Sequence, residues 1–329
     1  MQGITILGTG SYLPDYTLTN DDLASFLDTS DEWIYTRTGM RERRIATSEP
    51  TWYLGAQAAK RALLAANVAP NDIDMIILTT ATSDYAFPTA ASCVQNALGI
   101  EHCMAVDINL ACTACTFAVD MARRYLLCGD VKHVLVVNAE SMSQRTDYTD
   151  RSTCVLFGDG AGAMVLTAAD KRYAAYQSND ASGAKYIYYR HLRREYPFAK
   201  SDTSEHDCFP DEKYGSTYMN GREVYKFATR VMPEAVQKAC ERAGISHEQL
   251  DMLFVHQANI RIVETAAKNL GIPMERVFTN IEKYGNTSSA TISICLDEAI
   301  RSGRIKRGDT IGFVGFGAGL SSGAVVLEY

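Results

Sequence analysis

The chain has 329 residues, 47% of them hydrophobic and 22% charged, the balance of a soluble globular protein with one large or two medium domains. Its formal charge of −7 excludes a general nucleic-acid binder, which needs a basic surface. The nine cysteines are odd in number and scattered through apolar segments, which excludes a disulfide scaffold and points to free thiols in a reducing compartment.

The N-terminal MQGITILGTGSYLPD has neither a basic start nor a cleavage site and reads as a first strand, so a cytoplasmic location is expected. No apolar run approaches the roughly 18–20 residues that span a bilayer, and no membrane partner is expected. The segment TRTGMRERR gathers Arg37, Arg41, Arg43 and Arg44, either as a solvated charged loop or as a docking patch for phosphates or an acidic partner. Helical spacing of apolar residues predicts helices over Leu54–Ala66, Ala90–Leu98 and Cys115–Leu127. Short runs rich in Ile, Leu and Val predict strands over Asp72–Thr80, Met104–Leu110, Val131–Asn138 and Met252–Val255. This alternation implies α/β layers around a largely buried sheet.

The chain also repeats itself. IDMIILTTA (73–81) matches LDMLFVHQA (250–258), and AASCVQNALGI (90–100) matches VETAAKNLGI (263–272). DINLACTACTF has a counterpart in TNIEKYGNTSSATI, and GDGAGAMVLTA in GFGAGLSSGAVVLEY. Asp74 and Asp251 lie 177 positions apart, Leu98 and Leu270 172, and Cys112 and Asn286 174. Four matches in one order imply two similar α/β halves, 1–175 and 176–329, with the break near Asp170–Lys185. Cys112 and Asn286 are then expected at related helix starts facing one shared site.

The stretch LACTACTF, read alone, fits a redox pair, half of a metal site, or a nucleophile with a bystander. No second CxxC completes four zinc ligands, so no metal is expected. Cys112 follows a strand and opens a helix, where unpaired amides and the dipole should lower a thiol from its ordinary ~8.5. His256 ends the strand Met252–Val255, and Asn286 stands in the turn YGNTSS, rich in helix-capping side chains. All three sit where strands of a layered α/β fold meet helices, the positions ligands prefer.

With these motifs in place, the chain resembles the β-ketoacyl-[acyl-carrier-protein] synthase III family of the thiolase superfamily. The match runs nearly the whole length, through GTGSYLPD, TSDEWIYTRTGMRERRI, FPTAA, FGDGAGA, MNGREVYKFA, VHQANIRI, YGNTSSA and GFGAGL. The resemblance implies an α/β thiolase-like fold whose halves build a five-layer αβαβα architecture. It implies catalytic Cys112, His256 and Asn286, and an oxyanion hole from the main-chain amides of Cys112 and Ala318. It implies a decarboxylative condensation of an acyl-CoA with a malonyl-acyl-carrier protein, starting fatty-acid synthesis without any cofactor. Trp33, Arg37 and Arg151 match coenzyme A contacts. Gln257, Ala258, Asn259, Ile260 and Arg261, extended by Lys226 and Lys268, match the patch that docks an acidic carrier protein. The family is homodimeric, with Phe87 crossing the interface to cap the partner's acyl pocket.

Three departures bear on the substrate. Thr113-Ala114-Cys115 replaces the family's small-Gly-Phe, which puts Cys115 beside the acyl pocket. Ser321-Ser322-Gly323 stands where the family has Thr-Trp-Gly. The segment 182–218 has no clear family counterpart and carries five tyrosines from Tyr186 to Tyr214, either as a pocket-lining flap or as a variable surface loop. These departures keep a specialised synthase III-like enzyme open as the alternative, whereas a non-catalytic partner subunit would be expected to lose the nucleophile.

Overall fold

The computed structural model describes residues 3–191, 197–198, 209 and 215–329. Five strands form the first sheet: β1 (Gly3–Tyr12), β2 (Met75–Thr79), β3 (Met104–Ile108), β4 (Val134–Ser141) and β5 (Asp159–Ala169). Their spatial order is β1-β5-β4-β2-β3. The second sheet holds β6 (Tyr173–Asn179), β7 (Met252–Val255), β8 (Val277–Phe278), β9 (Thr310–Gly317) and β10 (Ser321–Glu328). Its order is β6-β10-β9-β7-β8, the same topology shifted by half the chain. In each sheet the second strand pairs parallel with the third and fourth, and the remaining pairings are antiparallel. The change of sheet falls between Ala169 and Tyr173, a few residues ahead of the expected 175/176 boundary.

Among the described residues the helices of eight residues or more are α1 (Asp31–Thr38), α2 (Thr51–Ala66), α3 (Ala90–Leu98), α4 (Ala114–Cys128), α5 (Gly221–Ala243), α6 (Ile260–Leu270) and α7 (Thr291–Arg301), and α2 to α7 make the other layers. Side chains of α2 and α3 pack on the outer face of the first sheet, those of α5 and α6 on the outer face of the second. Between the sheets lie α4 and α7, where Val119, Ala122, Leu296 and Ala299 meet Ile77, Val136, Phe254 and Phe313. Five layers, αβαβα, result. Because β2, β4 and β9 are covered on both faces, their residues are buried throughout rather than alternately. Each fully buried Phe of this central layer contributes about 1.5–3 kcal/mol.

Local signals set the helix ends that matter. Thr89 caps α3 through the Ser92 amide, and Asn259 caps α6 through the Arg261 amide at 2.9 Å. Left-handed Gly99, Gly129 and Gly271 end α3, α4 and α6. The basic cluster near the N-terminus divides. Arg43 is fully buried and donates to the Leu18 and Val155 carbonyls and to Asn20 Oδ1, and burial lowers its pKa to about 10. Arg41 is exposed and pairs with Asp31 and Glu282. Neither a solvated loop nor a docking patch describes Arg43, which is an internal tie. No helix among the described residues is long and apolar enough to cross a membrane.

Candidate active site

The nucleophile candidate occupies a three-residue turn, Ala111–Thr113, wedged between β3 and α4. Ala111 adopts φ 45°, and its amide donates to Asn109 Oδ1 at 3.2 Å, which holds the turn open. Strand β9 runs directly behind. A Cβ on Gly317 would come within 3.0 Å of the Cys112 nitrogen, so only glycine allows this approach. The structurally equivalent turn in the second half is Ser288–Ala290, ahead of α7, and Ser288 adopts φ 50°. Ala111 and Ser288, the starts of α4 and α7, and the starts of β2 and β7 are each 177 positions apart. The counterpart of Cys112 is therefore Ser289, and Asn286 sits three residues ahead of it. The expected pairing of Cys112 with Asn286 is out of register by that amount.

Cys112, His256 and Asn286 nevertheless line one cavity of about 240 Å³, together with Ser288, Gly317 and Ala318. Cys112 Sγ lies 3.4 Å from Ser288 Oγ. His256 is buried at the end of β7, its amide donating to the Val314 carbonyl at 2.8 Å and its ring edge-on to Phe316. Among the described residues Nδ1 of His256 has no hydrogen-bond partner, and burial lowers the ring's pKa to about 3, so the imidazole is neutral. Asn286 Oδ1 accepts the Ser288 amide at 2.9 Å, which fixes the carboxamide and leaves Nδ2 as its free donor. The Asn286 main chain bonds to Leu156 and Gly158, tying the turn to the first half.

The helix start does not set the thiol's state. Burial pushes Cys112 up to about 12, Ser288 opposes this, and the Glu140 charge adds to it. The resting site holds a neutral thiol beside a neutral imidazole, which corrects the lowered pKa expected from the helix dipole. The two substitutions near the thiol also meet each other: Thr113 Oγ1 hydrogen-bonds Ser321 Oγ, which donates to the Ala318 carbonyl at 3.0 Å. Together they link the Cys112 turn to the Ala318 turn.

The other sequence-predicted residues divide between the site's mouth, the surface and the core. Two guanidiniums approach the Trp33 ring, Arg37 at 4.4 Å and Arg151 at 4.8 Å from its centroid. Trp33 and Arg37 line a second cavity of about 220 Å³ that shares Met219, Val224, Ala258 and Asn286 with the first, so the two cavities adjoin. Arg261 is exposed and donates to the Thr36 carbonyl at 2.6 Å, Lys226 pairs with Glu223 at 2.7 Å, and Lys268 is exposed. Ile260 is partly buried against the core behind α6. Gln257 is not a surface residue: it is fully buried, and its Oε1 accepts the Asn280 and Ile281 amides. Cys115 is likewise buried among the central-layer side chains and is not among the cavity-lining residues, because α4 turns it toward Val119 and the sheets. Phe87 is 86% exposed and lies outside its own chain's cavity.

Part of 182–218 lines the cavity, which favours the flap over the surface loop for the described residues. Tyr188, Tyr189, His191 and Thr217 reach it, and Arg145 donates to Tyr189 Oη at 3.0 Å from the opposite wall. The acidic stretch 201–212 lies outside the described residues except for Phe209. Sequence reasoning missed Arg145, Ser288 as the thiol's neighbour, and Glu140. A carboxylate inside the apolar strand VLVVNAES was the available signal for Glu140.

A cysteine, a histidine and an asparagine converging from two like halves on one cavity define a condensing enzyme of the thiolase fold. Residues 106–181 match the model for 3-oxoacyl-[acyl-carrier-protein (ACP)] synthase III, and residues 240–329 match that for its C-terminal part. The curated beta-ketoacyl-[acyl-carrier-protein] synthase III of Aquifex aeolicus is 45% identical over 99% of this chain and all of its own length. The crystal structure of 3-oxoacyl-[acyl-carrier-protein] synthase III from Aquifex aeolicus superposes with a TM-score of 0.91, at 43% identity over 99% of this chain and all of that one. A priming β-ketosynthase from the R1128 polyketide biosynthetic pathway gives 0.89 at 33% identity, covering 99% and 96%. The chain belongs to the 3-oxoacyl-[acyl-carrier-protein] synthase III family.

Proposed function

We propose that this protein joins an acyl-CoA to a malonyl-acyl-carrier protein by decarboxylative Claisen condensation, the reaction that starts fatty-acid synthesis. One observation carries the reading: Cys112, His256 and Asn286 line a single cavity, which adjoins the cavity lined by Trp33 and Arg37. Cys112 Sγ attacks the acyl-CoA carbonyl. The coenzyme thiolate leaves with the cysteine's proton, and the acyl group stays on the enzyme as a thioester. Malonyl-carrier protein then loses carbon dioxide, and its enolate oxygen takes hydrogen bonds from His256 Nε2 and Asn286 Nδ2. The enolate carbon attacks the acyl thioester and expels Cys112 as its thiolate. The tetrahedral oxygen is held by the amides of Cys112 and Ala318. One such donor stabilises the transition state by about 3–4 kcal/mol.

A neutral His256 suits this role, since a donor that need not lose its proton stabilises the enolate without titrating near neutral pH. Trp33, with Arg37 and Arg151 close to it, offers an aromatic ring and two cations to an adenine and its phosphates. Arg261, Lys226 and Lys268 offer cations to an acidic carrier protein. Phe87, exposed in the single chain, is assigned to the pocket of a second copy in a homodimer. No metal or organic cofactor takes part, and the enzyme acts in the cytoplasm. Acetyl-, branched- and longer acyl-CoA donors with malonyl-carrier protein test this reading, and if no donor gave a β-ketoacyl-carrier product it would fail.

A second reading, a specialised synthase of the same chemistry, draws on the polar wall of Arg145, Tyr189 and His191 around the cavity. Turnover of none of the simple acyl donors, with turnover of a polar one, would favour it.

A further inference from the structure

Glu140, near the end of β4, is fully buried. Its Oε1 accepts the Ser289 hydroxyl at 2.7 Å and the Ser289 amide at 3.4 Å. Its Oε2 accepts the Ala81 amide at 3.0 Å and the hydroxyls of Thr82 and Thr80 at 3.0 and 3.4 Å. Each hydroxyl is in turn supplied from behind. Thr79 donates to Ser289, the Ser141 amide to Thr82, and the Thr82 amide to Thr80. Hydroxyls whose oxygens already accept turn their protons to the carboxylate, and main-chain amides can only donate. These donors favour the ionised carboxylate and oppose burial, which raises its pKa. Among the described residues none of its hydrogen-bond partners is a lysine or arginine. A buried anion without a cation costs several kcal/mol of desolvation, which its donors offset only in part.

The internal repeat locates this cluster. The 177-residue shift carries Thr79 onto His256 and Ser289 onto Cys112, and the shift of 176 between β4 and β9 carries Glu140 onto Phe316. Thr79, Ser289 and Glu140 are thus the half-turn image of His256, Cys112 and Phe316, and Ser288, the neighbour of Ser289, touches the Cys112 thiol.

We propose that Glu140 is a positioning residue: it holds the Asn286–Ser289 turn against Cys112 and sets a fixed negative charge behind the thiol. The turn needs an anchor, because Ser288 holds a left-handed φ and its amide fixes the Asn286 carboxamide. The other ionisable groups of this interior are engaged elsewhere. His256 is neutral; Asp84, Asp107 and Asp159 each accept main-chain amides; Asp120 pairs with Arg124; Arg145 ends on Tyr189 and Ser83; and Cys115 is an uncharged core thiol. Glu140 is the anion that acts on Cys112.

The inference rests on Cys112 being the nucleophile, and its test uses a probe that needs no substrate. Iodoacetamide alkylation of Cys112 for a fixed time, followed by peptide mass across pH 6–10, is compared in the parent, Glu140→Gln and Ser289→Ala, the midpoint being the pH at which half of the thiol has reacted. The midpoint is expected to move to lower pH in Glu140→Gln, which loses the charge, and to stay in Ser289→Ala, which keeps it. Condensation of acetyl-CoA with malonyl-carrier protein is expected to fall about tenfold to a hundredfold in both, as misplacement of a reacting group predicts. A merely structural role would lower thermal stability without moving the alkylation midpoint. An unmoved midpoint in Glu140→Gln, or parental condensation in both variants, overturns the proposal. Should Glu140→Gln fail to fold, Ser289→Ala decides alone, and a parental condensation rate in it is the overturning result. Failure of the parent to acylate Cys112 would instead sink the functional reading, leaving the alkylation comparison intact.

Discussion

The turns that open α4 and α7 share a backbone and differ in what they do. Each is three residues long, each contains one left-handed non-glycine residue, and each feeds a helix buried between the sheets. The first offers a thiol to the cavity, opposite His256. The second offers the Ser289 hydroxyl to a buried carboxylate, below Thr79. A duplicated fold has thus placed chemistry at one copy of a strained turn and support at the other. Strand ends decide which: β7 and β9 supply an imidazole and an aromatic ring, β2 and β4 a hydroxyl and a carboxylate.

Exchanging the reactive atoms should break this asymmetry most severely. Cys112→Ser is expected to abolish the acyl-enzyme seen by intact mass, whereas Cys115→Ser, in the core, leaves it measurable. Equal loss from both would restore a paired-cysteine mechanism. Next come the donors that only the catalytic side possesses. His256→Ala and Asn286→Ala should still acylate but lose about a hundredfold to a thousandfold in malonyl decarboxylation. Fast decarboxylation in either variant would remove it from its assigned role.

Smaller effects sharpen the comparison. Trp33→Ala should raise KM for acyl-CoA about tenfold with kcat nearly unchanged, because the ring binds a remote part of the substrate. Equal loss in kcat would place it nearer the chemistry. Ser321→Ala, which cuts the link from Thr113 to Ala318, should slow acylation severalfold, the worth of about one neutral hydrogen bond.

The pH dependence follows from burial. His256, lowered to about 3, is neutral in the fold and would take up a proton when unfolded near its ordinary 6.5. Its contribution therefore favours the folded state above about pH 6.5 and costs stability as pH falls from there toward 3. Acid unfolding followed by circular dichroism should shift to lower pH in His256→Ala. For Cys112, raised to about 12, alkylation should still be climbing at pH 9. A plateau near pH 7 would show a thiolate stabilised by the helix start after all.

Much of this was legible in the sequence because it repeats. Two copies of an apolar strand, an LGI helix end and a Gly-rich hairpin gave two like halves, and matching strand orders followed. That Cys112, His256 and Asn286 share one cavity was legible because each breaks an apolar pattern at a strand or helix end. Register was not, since loops of unequal length separate the repeats, so the partner of Cys112 proved to be Ser289. Exposure was not legible either. Gln257 in VHQANIRI and Arg43 in TRTGMRERR look like surface residues, yet long-range carbonyls and amides draw both inside. The thiol's state lay beyond sequence because burial, not the helix dipole, dominates it.

The central claim is tested most directly by a two-stage single-turnover experiment on the parent protein. Acetyl-CoA is added first, and the adduct is located by peptide mass; malonyl-carrier protein follows. The account predicts one acetyl group on Cys112 that disappears as carbon dioxide and a β-ketoacyl-carrier protein form. An adduct that maps elsewhere, or one on Cys112 that malonyl-carrier protein never discharges, would contradict it.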